Sequence, residues 1–199
     1  VCYVPTGGVL ATYQVSTWAN FATSFEEQDR KYGDNLYWLY VDSTLIVVGT
    51  GEMMNNSSYS NIPWYSIRSS ITSAYLPEGL KSIGNYAFYY CGNLTDITIP
   101  NSVTAIGSYA FYNCSSLSSI VIPDSVVSIG TVAFRGCNNL MSVVLPDNLT
   151  SIGSNAFHST GIYNTSAYWE NGALYIANYL IATNSNLLTT YEIRDNTRL

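Results

Sequence analysis

Apolar positions in the middle of the chain recur every 23 residues. The unit starting at Leu94 reads Leu94-x-x-Ile97-x-Ile99-Pro100-x-x-Val103-x-x-Ile106-Gly107-x-x-Ala110-Phe111-x-x-Cys114. The next carries Leu117, Ile120, Ile122, Pro123, Val126, Ile129, Gly130, Ala133, Phe134 and Cys137 in the same slots. A third carries Leu140, Val143, Leu145, Pro146, Leu149, Ile152, Gly153, Ala156 and Phe157, and puts Thr160 where Cys is due. An earlier, degenerate copy runs from Ile71 through Ala74, Leu76, Pro77, Leu80, Ile83, Gly84, Ala87 and Phe88 to Cys91. A fixed period of this length means a solenoid, in which one coil of chain stacks on the next. One unit cannot cover both of its own faces, so neighbouring units must cover each other.

Within a unit, Ile97-x-Ile99 alternates with period two and predicts a short strand with one buried face. Proline ends it, because it cannot donate to a ladder. The residues after proline are turn formers. The Ala-Phe segment is too short for a long helix and predicts one turn of α or 3₁₀ helix on the far side of the coil. A glycine at a fixed slot implies either positive φ or close approach of a neighbouring backbone. Phe88, Phe111, Phe134 and Phe157 should stack as an aromatic column. Cys91, Cys114 and Cys137 should form a ladder of buried free thiols. One coil of separation, roughly 4.8 Å, and parallel side chains do not suit the ~3.8 Å Cβ spacing of a disulfide. The predicted fold is an α/β repeat solenoid. It has a parallel β-sheet on one face, short helical or 3₁₀ turns on the other, and β-rich flanking segments.

The motif Leu-x-x-Ile-x-Ile-Pro followed by Val-x-x-Ile-Gly-x-x-Ala-Phe-x-x-Cys resembles the BspA-like class of leucine-rich repeat, over residues 71–162. Gly79, Ser102 and Ser125 stand where the commoner leucine-rich consensus has Asn or Cys, and only Asn148 meets it, so no asparagine ladder is expected there. Gly33-Asp34-Asn35-Leu36-x-Trp38, Leu45-x-Val47-x-Gly49-Thr50-Gly51-x-Met53 and Pro63-Trp64-Tyr65 resemble the segment that precedes such arrays. Trp169-x-Asn171-Gly172-x-Leu174-Tyr175-Ile176 resembles a β-hairpin inserted between arrays, here about 168–183. Tyr3-Val4-Pro5, Tyr13 and Trp18-Ala19-Asn20-Phe21 resemble the tail of a preceding array, and Arg194-Asp195-Asn196-Thr197-Arg198-Leu199 the turn opening another repeat. The resemblance therefore implies a fragment of a longer multi-array chain. Its parts are a tail and linker (1–29), a β-rich capping segment (30–70), the repeats (71–162), then a hairpin and the start of a further repeat (163–199). It also implies a bacterial cell-surface or secreted protein, non-enzymatic, that adheres to proteins of a host, a neighbouring cell or a matrix.

Composition narrows the classes. Seven Lys and Arg against thirteen Asp and Glu give a net charge of −6 in 199 residues. That excludes the basic stripes of nucleic-acid binders and a cationic membrane-surface patch. No apolar run nears the ~20 residues that span a bilayer, so no membrane insertion is expected. Low charge, 18 tyrosines and abundant Ser, Thr and Asn suit an extracellular surface. Sequons at Asn55, Asn56, Asn93, Asn113, Asn148 and Asn164 are better read as turn asparagines than as glycosylation sites.

No arrangement with catalytic or metal-binding logic is present, and no cofactor is expected. His158 is the only histidine, in a slot filled elsewhere by Tyr89, Tyr112 and Arg135. Glu26, Glu27 and Asp29 lack the calcium-loop spacing with its central glycine. Two surfaces remain. The strand face carries outward rows of Tyr75, Thr98, Val121 and Val144, of Ser73, Asp96, Ser119 and Ser142, and of Thr72, Thr95, Ser118 and Met141. The candidate binding residues are Tyr75, Asp96, Thr98, Ser119, Val121, Ser142 and Val144, presented by a monomer to a protein partner. On the far side, Tyr86, Tyr89, Tyr90, Tyr109 and Tyr112 form a second group, which could instead serve as a platform for a glycan. Coplanar exposed rings would favour sugar, and a broad smooth strand face would favour protein. A plain spacer between domains is the third alternative.

Overall fold

The computed structural model describes residues 2–6, 9–13, 31–33 and 35–184, with side chains from residue 31 onward. The acidic group Glu26, Glu27 and Asp29, the side chain of Cys2 and the Arg194–Leu199 segment lie outside these residues.

Strands β1 (Cys2–Thr6) and β2 (Val9–Tyr13) pair antiparallel. Strands β3 (Asn35–Val41) and β4 (Thr44–Glu52) form a hairpin. Its two-residue turn has positive φ at both Asp42 (47°) and Ser43 (64°), the backbone whose twist matches that of the strands.

Each coil of the array contributes two strands. In chain order these are β5 (Ser73–Tyr75), β6 (Leu80–Ile83), β7 (Asp96–Ile97), β8 (Ala105–Ile106), β9 (Ser119–Val121), β10 (Ser128–Ile129), β11 (Ser142–Val144) and β12 (Ser151–Ile152). Odd-numbered strands are the alternating segments read from the sequence. Even-numbered ones, just past the proline turn, are a second parallel ladder that the period-two signal does not reveal, because their fixed apolar slots, as in Val103-x-x-Ile106, are three residues apart. Register advances by one repeat throughout. Ser73 faces Asp96, Val121 faces Val144, and Ile83, Ile106, Ile129 and Ile152 form one row.

The long strand β4 joins the two ladders. Its first residues pair with β5 (Thr44 with Ser73) and its last with β6 (Gly51 with Leu80). The result is one curled sheet in the order β12-β10-β8-β6-β4-β5-β7, with β3 beside β4 and with β9 and β11 as a separate pair. The second ladder is therefore continuous over four coils, whereas the first is interrupted between β7 and β9.

The far side of each coil is a run of linked turns, and helical turns appear at the ends of the array. Alternate backbone N–H groups do different work there. Ala87, Tyr89 and Cys91 close local three-residue turns onto Gly84, Tyr86 and Phe88. Between them, Tyr86, Phe88 and Tyr90 donate to Ser108, Ala110 and Tyr112 of the next coil at 2.7–3.0 Å. A helix would keep every N–H in its own coil, so this division replaces it. The cost is two left-handed residues in each coil, at Tyr86, Tyr109, Val132 and Asn155 (φ 52–64°) and at Tyr90, Asn113, Gly136 and Ser159 (φ 56–78°), of about 1–2 kcal/mol apiece for an ordinary side chain.

The repeat glycines answer to the second of the two alternatives. A Cβ on Gly130 would lie 2.4 Å from the backbone N of Ser108, and one on Gly153 2.3 Å from that of Thr131. Inside, the phenylalanines stack face to face at 5.1, 5.0 and 5.2 Å, with planes within 6° of parallel. The thiols are buried and free. Cys114 Sγ–H donates to Phe88 O and Cys137 Sγ–H to Phe111 O, both at 3.1 Å.

Both ends of the column are closed by side chains. Ala87 O would accept from a preceding coil, and in its place the indole Nε1–H of buried Trp64 donates to it at 2.6 Å. At the other end Thr160 takes the cysteine slot. Its hydroxyl donates to Phe157 O (2.8 Å) and accepts from Tyr163 N–H (3.2 Å), capping α1 (Gly161–Asn164). Three strands follow: β13 (Trp169–Glu170), β14 (Ala173–Ile176) and β15 (Tyr179–Thr183). In three coils the proline turn closes directly, as Val103 N–H to Pro100 O at 3.1 Å. In the last coil the Tyr179 hydroxyl bridges it, donating to Pro146 O (2.8 Å) and accepting from Leu149 N–H (3.1 Å).

Candidate functional site

The first ladder turns its odd rows outward. Asp96, Thr98, Ser119, Val121, Ser142 and Val144 are exposed and Tyr75 is half-buried. Val121 (62%), Val144 (52%) and Met141 (43%) are among the most exposed large apolar side chains described. They cluster because β9 and β11 are in register, which sets Val121 directly beside Val144. The predicted residues are thus brought to one face, but as two groups. Tyr75 and Asp96 sit on β5 and β7, in the sheet joined to the capping hairpin. The Ser119, Val121, Ser142 and Val144 group sits on the separate pair. The inner threonines of this face are occupied: Thr95 Oγ1 donates to Thr72 O at 3.1 Å, and Thr72 Oγ1 to Ser43 O at 3.3 Å.

The tyrosine side is more ordered than its sequence suggests. Tyr86 stacks on Tyr109 at 4.9 Å, and Tyr89 on Tyr112 at 5.2 Å. The second column extends through residues that sequence reasoning missed. Tyr59, from the 3₁₀ turn Tyr59–Asn61, stacks on Tyr89 at 4.9 Å and 7°, and Tyr65 lies 5.1 Å from Tyr59. Arg68 closes the end, with its guanidinium 3.9 Å over the Tyr65 ring and Nη1 donating to Tyr65 O at 2.7 Å. Running the period back one unit from Ala87-Phe88 lands on Trp64-Tyr65, so part of this cap was available as a signal. Tyr59 is off the period and was not. Desolvation first, then the neighbouring phenols Tyr90, Tyr112, Tyr59 and Tyr65, push the Tyr89 hydroxyl up to about 12. It stays a protonated donor at neutral pH.

Rings stacked at these distances cover one another's faces and present edges and hydroxyls. A sugar platform needs bare faces, so the geometry weighs against that use of the tyrosines.

His158 bonds to Ser159 through Nδ1 (2.7 Å) and packs on Tyr163 at 4.5 Å, with no carboxylate in either contact. Two of the thiols are suppressed as nucleophiles: burial pushes Cys91 up to about 12 and raises Cys114. Among the described residues, no group of three His, Cys, Asp or Glu side chains could hold a metal ion. No helix of the described residues is long and apolar enough to cross a membrane. Sequon asparagines act as turn residues: Asn56 is buried on Tyr32, and Asn93 and Asn148 donate to Ser69 O and Asp124 O at 2.7 Å. A cleft of about 170 Å³ lies between β12 and β15, lined by residues 149–156 and by Tyr179, Leu180 and Ile181, and it carries no ionisable group except the Tyr179 phenol.

Comparison with known proteins agrees with this geometry. The sequence pattern of the BspA type leucine-rich repeat region matches residues 60–188 in 6 copies. A leucine-rich repeat protein of Eubacterium ventriosum is similar in fold, with TM-score 0.54 and 23% identity over 83% of this chain and 53% of that one. A leucine-rich repeat protein of T. pallidum gives TM-score 0.49 and 26% identity over 65% of this chain and 66% of that one. A leucine-rich cell surface protein of Faecalibacterium prausnitzii gives TM-score 0.42 and 25% identity over 65% and 46%. The chain thus spans about half to two thirds of the length of these structures. No curated protein sequence matches it.

Proposed function

Because the chain belongs to the BspA-type leucine-rich-repeat family, whose domains are generally non-enzymatic and bind proteins, we propose that it is an extracellular adhesion module of a bacterial cell-surface or secreted protein. It docks a host, neighbouring-cell or matrix protein through the strand face, as a monomer. The observation that carries this reading is the apolar exposure on that face, which holds Val121, the most exposed large apolar side chain described. Val121, Val144 and Met141 stand out of a sheet pair whose other outward residues, Ser118, Ser119 and Ser142, are small and uncharged. Such a surface loses little on desolvation and gains by being covered. Low charge and the 18 tyrosines support the extracellular assignment.

The test is capture from an extracellular-matrix extract by the wild type and by Thr98→Asp/Val121→Asp/Val144→Asp. All three side chains point to solvent, so circular dichroism should be unchanged. The captured partner should be lost, because an interface would then bury unpaired charge. A variant that folds and retains its partner would sink the strand-face assignment. Hits on a glycan array that disappear in Tyr89→Ser/Tyr112→Ser would support the carbohydrate reading in its place.

A further inference from the structure

Charge on this protein is segregated by side. The described carboxylates Glu78, Asp124 and Asp147 occupy the proline turns, Asp96 the first ladder, Asp42 the turn of the β3–β4 hairpin, and Glu52 and Glu170 the flanking strands. The linked-turn side is different. Residues 84–93, 107–116, 130–139 and 153–162 and the capping segment 59–70 contain no Asp or Glu at all. They contain Arg68, Arg135 and His158. Among the described residues, this side of a chain of net charge −6 thus carries no carboxylate.

That side carries the outer tyrosine column, and the two arginines bracket it. Arg68 sits 3.9 Å over Tyr65. Contacts then run from Tyr65 to Tyr59 (5.1 Å), to Tyr89 (4.9 Å) and to Tyr112 (5.2 Å). Arg135 is exposed and occupies the slot of Tyr112 one coil further on. Tyr86 and Tyr109 brace the column from the side, Tyr86 meeting Tyr89 edge-on at 5.5 Å. Stacking engages the ring faces between Tyr59, Tyr89 and Tyr112, so bases and sugars cannot enter between them. Ring edges, which carry the positive end of the aromatic quadrupole, and phenol O–H groups are what solvent meets.

We infer that this column is a docking site for an extended acidic segment of a partner protein, with Asp or Glu carboxylates held by the guanidiniums of Arg68 and Arg135 and by the tyrosine hydroxyls between them. Three observations support it independently. Surroundings that hold Arg68 and Arg135 and no described carboxylate favour an anionic strand and disfavour a cationic one. Stacking already fixes the rings, so little side-chain entropy is left to lose on binding. Tyrosine and arginine are also the residue types that dominate binding hot spots. The site lies on a different side of the coil from β9 and β11, so it does not depend on the strand-face proposal.

The probe is a fluorescent octapeptide alternating Asp with Leu, with a neutral Asn twin and a cationic Lys twin, read by anisotropy at low and high salt. The Asp peptide should bind roughly tenfold or more tightly than either twin, and should weaken with salt. Arg135→Glu and Tyr112→Ser should each weaken it severalfold, with circular dichroism unchanged. The strand-face triple variant should bind it as the wild type does. Equal binding of the Asp and Lys twins overturns the inference. So does full retention of binding by folded Arg135→Glu, absence of any saturable binding of the Asp peptide, or loss of its binding in the strand-face variant alone.

Discussion

The protein contains two aromatic columns built by adjacent residues of one repeat, and they differ in nearly everything but spacing. Phe111 and Tyr112 are neighbours in sequence, and both stack on their counterparts one coil away at about the same distance, 5.1 and 5.2 Å. The phenylalanine column is sealed. Phe88, Phe111, Phe134 and Phe157 are buried, one end is closed by Trp64, and the column runs through all four coils. The tyrosine column is half in water, ends on a cation, and gives way to Arg135 after Tyr112. Identical geometry thus does two jobs. Where water is excluded, stacking is cohesion, worth the transfer of each ring out of solvent. Where water remains, stacking mainly fixes side chains that a partner would otherwise have to order.

The strongest way to break this contrast is to empty one site in each column. Phe111→Ala should cost about 3–5 kcal/mol, the usual price of a vacated aromatic site, measured by urea unfolding. If Tyr112→Ala costs as much, the two columns do not differ as described.

Alkaline pH probes the sealed side from within. Burial raises the Cys91 pKa from 9.0 to about 12, with Arg68 pulling weakly the other way. A thiol kept protonated by the fold contributes stability that is complete below pH 9 and is lost as the pH rises to about 12. Three pH units correspond to about 4 kcal/mol. Unfolding midpoints should therefore fall across that window, and less steeply in Cys91→Ala. Parallel profiles for the two proteins would contradict the assignment.

A finer test sits at the cap. Trp64→Phe keeps an aromatic ring over Phe88 but removes the donor to Ala87 O. A buried carbonyl left unpaired costs about 1–3 kcal/mol. Hydrogen exchange should show the loss spreading from the first coil, since coils couple mainly to their neighbours. No measurable change would mean that water or a rearranged turn satisfies Ala87 O.

The smallest effect is expected outside. Tyr112→Ala should cost about 1 kcal/mol or less, since a half-exposed ring recovers little on burial. It should still weaken the acidic peptide. A large stability loss without a binding loss would move Tyr112 from the docking surface into the core.

Much of this protein was legible without coordinates, for one physical reason. A strict period makes each local choice repeat, and identical side chains then meet in register. The Phe column, the free thiols and the outward rows of Thr98, Val121 and Val144 all follow from spacing alone, whereas at the glycine slot the spacing left positive φ and close contact both open. Features decided by pairs of unlike residues far apart in sequence did not. The second ladder at Ala105–Ile106 and its equivalents has its fixed apolar slots three residues apart, so it shows no alternation, and it exists because coils stack. Nothing in the pattern said that the Ala-Phe segments would share their N–H groups between coils instead of coiling into helix, which required left-handed backbone at Tyr86, Tyr109 and Val132. The indole of Trp64 standing in for a missing coil, the Tyr179 hydroxyl opening the last proline turn, and Tyr59 and Arg68 completing the outer column are single events at the ends of the array. There the period stops, and only the tertiary contacts choose which side chain satisfies the groups left exposed.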